Sequence, residues 1–123
     1  MEAAAAEGAN VWALLRAPDA AVEADYQALA ERFHVWIKPL YADLTDEAAV
    51  TAAIKQAMAD KLPLDVLINN AGTMGEDKVF QLTPLAEMRR SFDVNFFGTV
   101  FLSQLATRWM ARKRQGAVVS IVS

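Results

Sequence analysis

The chain has 123 residues and no cysteine. Disulfides, thiolate metal sites and cysteine nucleophiles are thereby excluded, and the composition fits a reducing cytoplasm. No apolar run approaches the roughly 20 residues a membrane span needs. The acidic, alanine-rich start "MEAAAAEG" lacks the basic and apolar regions of a signal peptide. Positive charge is not in excess: the net charge is −3, which argues against nucleic acid as a main partner. Glycine is scarce. Gly8, Gly72, Gly75, Gly98 and Gly116 do not make the closely spaced set with which a backbone cradles pyrophosphate at a helix N-terminus. The single histidine, His34, has no serine and aspartate around it in sequence and reads as structural.

What is present is apolar and regularly punctuated. Hydrophobic residues make up 54% of a chain of one domain's length, enough for a real core. Four short apolar runs, Asn10–Leu15, Val35–Tyr41, Leu64–Ile68 and Ala117–Val122, have the length and β-branched content of strands buried on both faces of a parallel sheet. Helical patterns lie between them. One runs from about Asp19 to Arg32. A second follows Thr45 as N-cap, with Asp46 and Glu47 in its first turn and Val50, Ile54 and Met58 along one face. A third starts at Thr83-Pro84, with the proline first in the helix, and reaches roughly Arg114 before Gly116 stops it. Met1–Ala6 reads as the end of another helix. Strands alternating with helices predict an α/β fold with right-handed crossovers and a doubly wound parallel sheet.

In open sheets of this kind, ligands bind outside the carboxyl ends of the strands. Asn69–Gly72 falls at such an end: the glycine allows close backbone approach, and the amides can tie loops together or meet a ribose. The same four residues also suit a plain turn. Asp43, in "ADLTD", follows the second strand, where its carboxylate could accept from an adenine amino group. Asn95 shares a helix face with Phe92, Thr99 and Leu102, and an amide among aromatics predicts a buried partner. Gly98 weakens that helix by about 1 kcal/mol relative to alanine. Trp12, Trp36 and Trp109 read as packing residues. Arg108, Arg112, Lys113 and Arg114 crowd a helix C-terminus, where cations are favoured anyway.

"ADLTD", "LINNAG", "DVNFFGT" and "GAVVSIVS", in this order and spacing, resemble the short-chain dehydrogenase/reductase family, closest in flavour to reductases of the 3-oxoacyl-carrier-protein type. The resemblance covers essentially the whole chain, residues 1–123, as a single partial Rossmann-like NAD(P)-binding domain. It implies that Asp43 contacts the adenine ring with Leu44 beside it. It implies that Asn69, Asn70, Ala71 and Gly72 form the loop under the cofactor's ribose and steady the sheet. Asn95 would sit at a distorted point of the long helix and hold a water of the proton relay. Ser123 aligns with the catalytic serine that polarises the substrate carbonyl, and as the last residue it also reads as a frayed end. Arg16 comes just past the first visible strand, where the family chooses between an acid for a 2′-hydroxyl and a base for a 2′-phosphate. With no acid between Ala13 and Ala17, Arg16 favours NADP over NAD, although it also suits a solvated charge.

The resemblance also defines what is missing. The family's first strand, its glycine-rich turn and its Tyr-x-x-x-Lys pair are absent: Tyr26 is followed four residues later by Ala30, and Tyr41 by Thr45. With strand order 3-2-1-4-5-6 the missing strand is the central one. The expected sheet therefore has about four strands with three to four helices, and it leaves a gap there, closes it by pairing strands that are not normal neighbours, or borrows a strand from another chain. The implied parent reaction is hydride transfer between a nicotinamide cofactor and a small-molecule carbonyl or alcohol. As an interior segment, the isolated chain is expected to be inactive. The alternative is a non-catalytic interaction module that reuses half the fold. No membrane or nucleic-acid partner is expected. Phe96, Phe97, Phe101 and Leu105 on the helix of residues 84–114 suit either a homo-oligomer contact typical of the family or core packing.

Overall fold

The computed structural model describes residues 1–73 and 78–122. Its elements alternate as the apolar runs predict: α1 (Glu2–Ala6), β1 (Val11–Leu15), α2 (Ala20–Phe33), β2 (Ile37–Tyr41), α3 (Glu47–Met58), β3 (Val66–Asn69), α4 (Leu85–Phe92), α5 (Thr99–Met110) and β4 (Ala117–Ser120). A π-helical segment, Asp93–Gly98, joins α4 to α5 without leaving helical backbone angles. Single 3₁₀ turns at Phe80–Leu82 and Ala111–Lys113 flank this rod.

Local chemistry fixes most of the boundaries. Asp19 has extended backbone angles, and its carboxylate accepts from the N–H groups of Ala21 and Val22 at 3.1 and 3.2 Å, starting α2. His34 ends the helix in the left-handed region, φ 56°, while its N–H donates to the Ala30 carbonyl. The cap of α3 is Asp46, accepting from Ala49 N–H at 3.0 Å, one residue beyond the expected Thr45. Thr45 is instead engaged by Asp43. Pro84 is the N-cap of α4 rather than its first residue, and the Thr83 hydroxyl donates to the Val79 carbonyl instead of capping. At the far end Arg114, not Gly116, takes the left-handed turn, φ 56°. A Cβ on Gly116 would overlap the Met110 side chain, so close packing is what calls for glycine there.

The strands form two parallel pairs. β1 lies beside β2, with Val11 opposite Ile37 and Leu15 opposite Tyr41. β3 lies beside β4, with Val66 opposite Ala117 and Asn69 opposite Ser120. The pairs are not hydrogen-bonded to each other: β1 and β2 form one two-stranded sheet, and β3 and β4 another. Of the expected outcomes, the described strands show the gap, since neither β1 nor β2 pairs with β3 or β4.

α3 packs on β2 and on α5, and α5 packs on β3, so one helical layer spans the break. Between this layer and the strands lie Leu40, Ala42, Val50, Ala53, Ala57, Leu102 and Trp109, with Trp12, Leu14 and Leu67 against them. Small residues on α3 bring it close to the sheet, and Val50, fully buried, contributes about 1.5–3 kcal/mol by leaving water. The tryptophans pack as expected: Trp12 stands edge-on to Trp36 at 5.0 Å and tilted to Trp109 at 5.4 Å. Trp12 Nε1 donates to Asp60 at 2.8 Å and Lys38 pairs with the same carboxylate at 3.0 Å, tying the end of α3 to both strands.

The expectation of strands buried on both faces fails for the second pair. Val66, Ile68, Val118 and Val119 are exposed. β3 lacks a neighbour on one side, and among the described residues no helix pairs with β4 as α5 does with β3.

Candidate functional site

Parallel pairing puts the carboxyl ends of β1 and β2 side by side, and Arg16 and Asp43 follow those ends directly. Arg16 Nε lies 3.4 Å from an Asp43 carboxylate oxygen, and the arginine side chain remains 73% exposed. The other Asp43 oxygen accepts from the Thr45 N–H at 2.9 Å and from the Thr45 hydroxyl at 2.7 Å. This is an Asx turn, closed by the residue two positions on. The Thr45 N–H and hydroxyl hold the Asp43 carboxyl below its usual range. Partial burial opposes them, and the positive charges of Arg16 and Arg90 add a smaller lowering. Asp43 is thus an ionised acceptor of fixed orientation beside an exposed guanidinium.

At the end of β3 the two neighbouring asparagines separate in role. Asn69 is buried, and its Nδ2 donates to Ser103 on α5 at 3.1 Å and to Ser120 on β4 at 3.3 Å. A buried amide without partners would cost several kcal/mol; here it fastens strand, strand and helix together. Asn70, Ala71 and Gly72 are exposed in the loop that follows.

Asn95 occupies the π-helical segment, so the long helix is distorted where the resemblance implied. It is exposed rather than buried among aromatics, because Phe92, Phe96 and Phe97 also face outward. Its amide is nonetheless used at both ends: Oδ1 accepts from the Thr73 N–H at 2.7 Å, and Nδ2 donates to the Thr73 carbonyl at 2.8 Å. Gly72 lies alongside, its Cβ position 3.5 Å from Asn95 Oδ1. Gly98 closes the same segment against Leu44. A Cβ there would stand 2.7 Å from both the Leu44 Cβ and the Leu44 carbonyl oxygen, so only glycine fits without movement. Segments of this kind recur at functional sites because the widened turn redirects side chains.

One stretch, Asp93–Gly98, therefore touches the loop after β2 through Leu44 and the loop after β3 through Thr73. It gathers Arg16, Asp43, Leu44, Asn70–Gly72 and Asn95 at one end of the strands. Ser123 lies outside the described residues. Thr45, Thr73, Ser103 and Ser120 complete the arrangement and are partners that sequence reasoning missed. The spacing of Asp43 and Thr45 carries a local turn signal; the other three are 22 to 51 residues from the side chains they meet. Among the described residues no cluster of histidine and carboxylates could hold a metal ion, and no helix is long and apolar enough to cross a membrane.

The family model for short chain dehydrogenases matches residues 1–123. D-erythrulose reductase of Gallus gallus is 38% identical over 117 residues, covering 94% of this chain and 43% of that protein. A 3-oxoacyl-[acyl-carrier protein] reductase from Brucella melitensis superposes with a TM-score of 0.85 at 25% identity, over 99% of this chain and 50% of its own. The NADPH-dependent 3-quinuclidinone reductase from Rhodotorula rubra superposes with a TM-score of 0.83 at 26% identity, over 99% of this chain and 46% of its own. The chain spans between 25% and 43% of the length of curated relatives such as these. With a match over every residue and an α/β arrangement of parallel strands common to these relatives, the chain belongs to the short-chain dehydrogenase family.

Proposed function

We propose that residues 1–123 form a partial NAD(P)-binding domain of an oxidoreductase that moves hydride between a nicotinamide cofactor and a small carbonyl or alcohol substrate. The observation that carries this proposal is the gathering of Arg16, Asp43 and the Asn70–Gly72 loop by the Asp93–Gly98 segment, at the end of the strands where doubly wound sheets bind ligands.

The residues present fit the adenosine end of such a cofactor. Asp43, ionised and aimed by Thr45, accepts from the adenine amino group, with Leu44 beside the ring. Arg16 meets a 2′-phosphate, which favours NADP over NAD, in line with the NADPH dependence of the 3-quinuclidinone reductase. Asn69 holds the sheet edge while Asn70, Ala71 and Gly72 pass under the ribose. No set of glycines in the chain suits the pyrophosphate. When bound, the cofactor supplies the hydride; the protein orients it and manages the proton. Asn95 positions the loop through Thr73 and keeps one oxygen lone pair for a relay water, and the Ser123 hydroxyl polarises the substrate carbonyl. Without a Tyr-x-x-x-Lys pair, these 123 residues alone do not turn over substrate. The setting is cytoplasmic, and the Phe96–Phe97 face of the rod is the contact for a homo-oligomer.

Thermal melts of the chain followed by circular dichroism test the cofactor assignment. NADPH is expected to raise the midpoint more than NADH, and Arg16→Ala to abolish the difference. A melt unmoved by either nucleotide would sink it. A second proposal, a non-catalytic module that pairs with another polypeptide, is favoured by one observation, that among the described residues each strand pairs on one side only.

A further inference from the structure

Backbone groups alternate along a parallel ladder, so each strand residue turns its N–H and C=O to one side only. The Trp36 carbonyl accepts from Val11 at 3.0 Å, and the Ala42 N–H donates to Leu15 at 2.9 Å. Trp36, Lys38, Leu40 and Ala42 thus face β1, and Ile37, Pro39 and Tyr41 turn their backbone outward. Among the described residues no second strand pairs with β2 on that side, and Pro39 has no N–H to offer. The outer edge of β2 is accordingly richer in acceptors than in donors.

Beside that edge lies a groove of about 380 Å³, lined by Ile37 and Pro39 on one wall. One side of α2 forms the other wall: Glu23, Tyr26, Gln27 and Ala30 recur at helical three- and four-residue spacings. Among the described residues, Glu23 is the one charged group in the lining. The cations of α2 and β2 are committed elsewhere, Arg32 to Glu2 at 3.3 Å and Lys38 to Asp60 at 3.0 Å. The Tyr41 hydroxyl donates to the Glu23 carboxylate. This bond, followed by desolvation and the Glu23 charge, holds the phenol above its usual range. Gln27 directs its Nε2 to Glu31 at 3.5 Å, which leaves its amide oxygen as a further acceptor.

We propose that the groove between α2 and the outer edge of β2 binds a small organic cation, a primary ammonium on an apolar aromatic or alkyl stem. An ammonium carries three donors and no acceptor. It is the complement of walls that hold a carboxylate, outward carbonyls and no cation. Glu23 takes the charge; a carboxylate has about four lone-pair sites, so the Tyr41 hydroxyl leaves room for a second donor. Ala30, Val35, Ile37 and Pro39 receive the stem, which leaves water there. An anion fits less well, since it would face Glu23 with no cation beside it. A peptide strand added to the edge fits less well too, because Pro39 interrupts the row of donors. None of the lining residues belongs to the site gathered by the Asp93–Gly98 segment, and the proposal does not rest on nucleotide binding.

Phenethylamine tests it, in a titration of the full chain followed by two-dimensional NMR at about pH 7, where the amine is an ammonium. Shifts are expected at the Ile37 and Tyr41 backbone amides and at the Gln27 side-chain amide, with a dissociation constant on the order of 1 mM. Phenethyl alcohol has the same shape without the charge and should bind about fivefold more weakly. This comparison leaves the protein unaltered. Glu23→Gln should weaken the amine by a similar factor. Asp25→Asn removes a carboxylate of α2 that lies outside the groove, and it should leave the affinity unchanged. No shift at these amides with amine at ten times the expected constant would overturn the site. So would alcohol binding as tightly as amine, full affinity in Glu23→Gln, equal weakening by Asp25→Asn, or shifts confined to residues outside the groove.

Discussion

Asn95 spends both halves of its amide on a single backbone residue, Thr73. Because the site is exposed, water replaces these bonds when they are lost, and the net effect of each is modest. Asn95→Ala is expected to lower stability by about 1 kcal/mol in urea unfolding and to speed amide exchange at Thr73. An unchanged Thr73 amide would show that the clamp does not persist in solution. Asp43 makes a prediction of a different kind. Its folded pKa is depressed, so the stability it contributes is present above its unfolded value, about 3.9, and is lost as pH falls through the lower folded value. Asp43→Asn should therefore flatten the acid limb of a stability-versus-pH curve below about pH 4 and leave the limb near neutrality unsloped. Asp60, depressed by Trp12 and then Lys38, adds a separate acid loss that this variant retains.

At the scale of elements, the π-helical segment couples the loops after β2 and β3, and Gly98 sets how closely it approaches the first. Two effects of Gly98→Ala oppose each other. Alanine favours helix by about 1 kcal/mol, whereas its Cβ would stand 2.7 Å from Leu44 Cβ and backbone oxygen, and overpacking of this kind costs about 1–3 kcal/mol. Backbone cannot swing aside as a side-chain tip can, so steric cost wins. The variant should be less stable by about 1 kcal/mol, and the Asp43–Thr45 turn should shift in its NMR spectrum; a stabilised variant would mean that the segment stands farther from Leu44. The cap of α2 is simpler: Asp19→Ala removes the carboxylate oxygen that accepts from two N–H groups and should cost about 1 kcal/mol, read from the same unfolding curves.

For the whole molecule, the dominant fact is apolar surface. Phe80, Leu82, Phe92, Phe96, Phe97, Val118, Val119 and Ile121 are all exposed, more than a monomer ordinarily leaves in water. Sedimentation velocity is expected to show concentration-dependent association. Replacing Phe96 and Phe97 together by aspartate should shift it toward monomer if the rod is the contact; unaltered association would assign the contact to the open strands instead.

The resemblance of the chain's motifs to a family implied the distortion near Asn95 and the break between the strand pairs; the amino-acid pattern by itself determined the alternation of strands and helices and their parallel direction. Each is carried by neighbours within a few residues or by a connection rule: β-branched runs, Asp19 as a cap, crossover handedness. Local signals failed by a residue where two caps compete, as at Thr45 and Asp46, since either side chain can reach the free N–H groups. Only the tertiary structure decided that Asn69 binds Ser103 and Ser120, that Asn95 is an exposed clamp on Thr73, and that Arg16 rests against Asp43. Those pairings depend on how parallel strands bring distant loops to one end, and no sequence spacing encodes that distance. The same holds for β3 and β4: their composition is that of buried strands, but burial belongs to what surrounds a strand, and the described chain leaves one side of each without a partner.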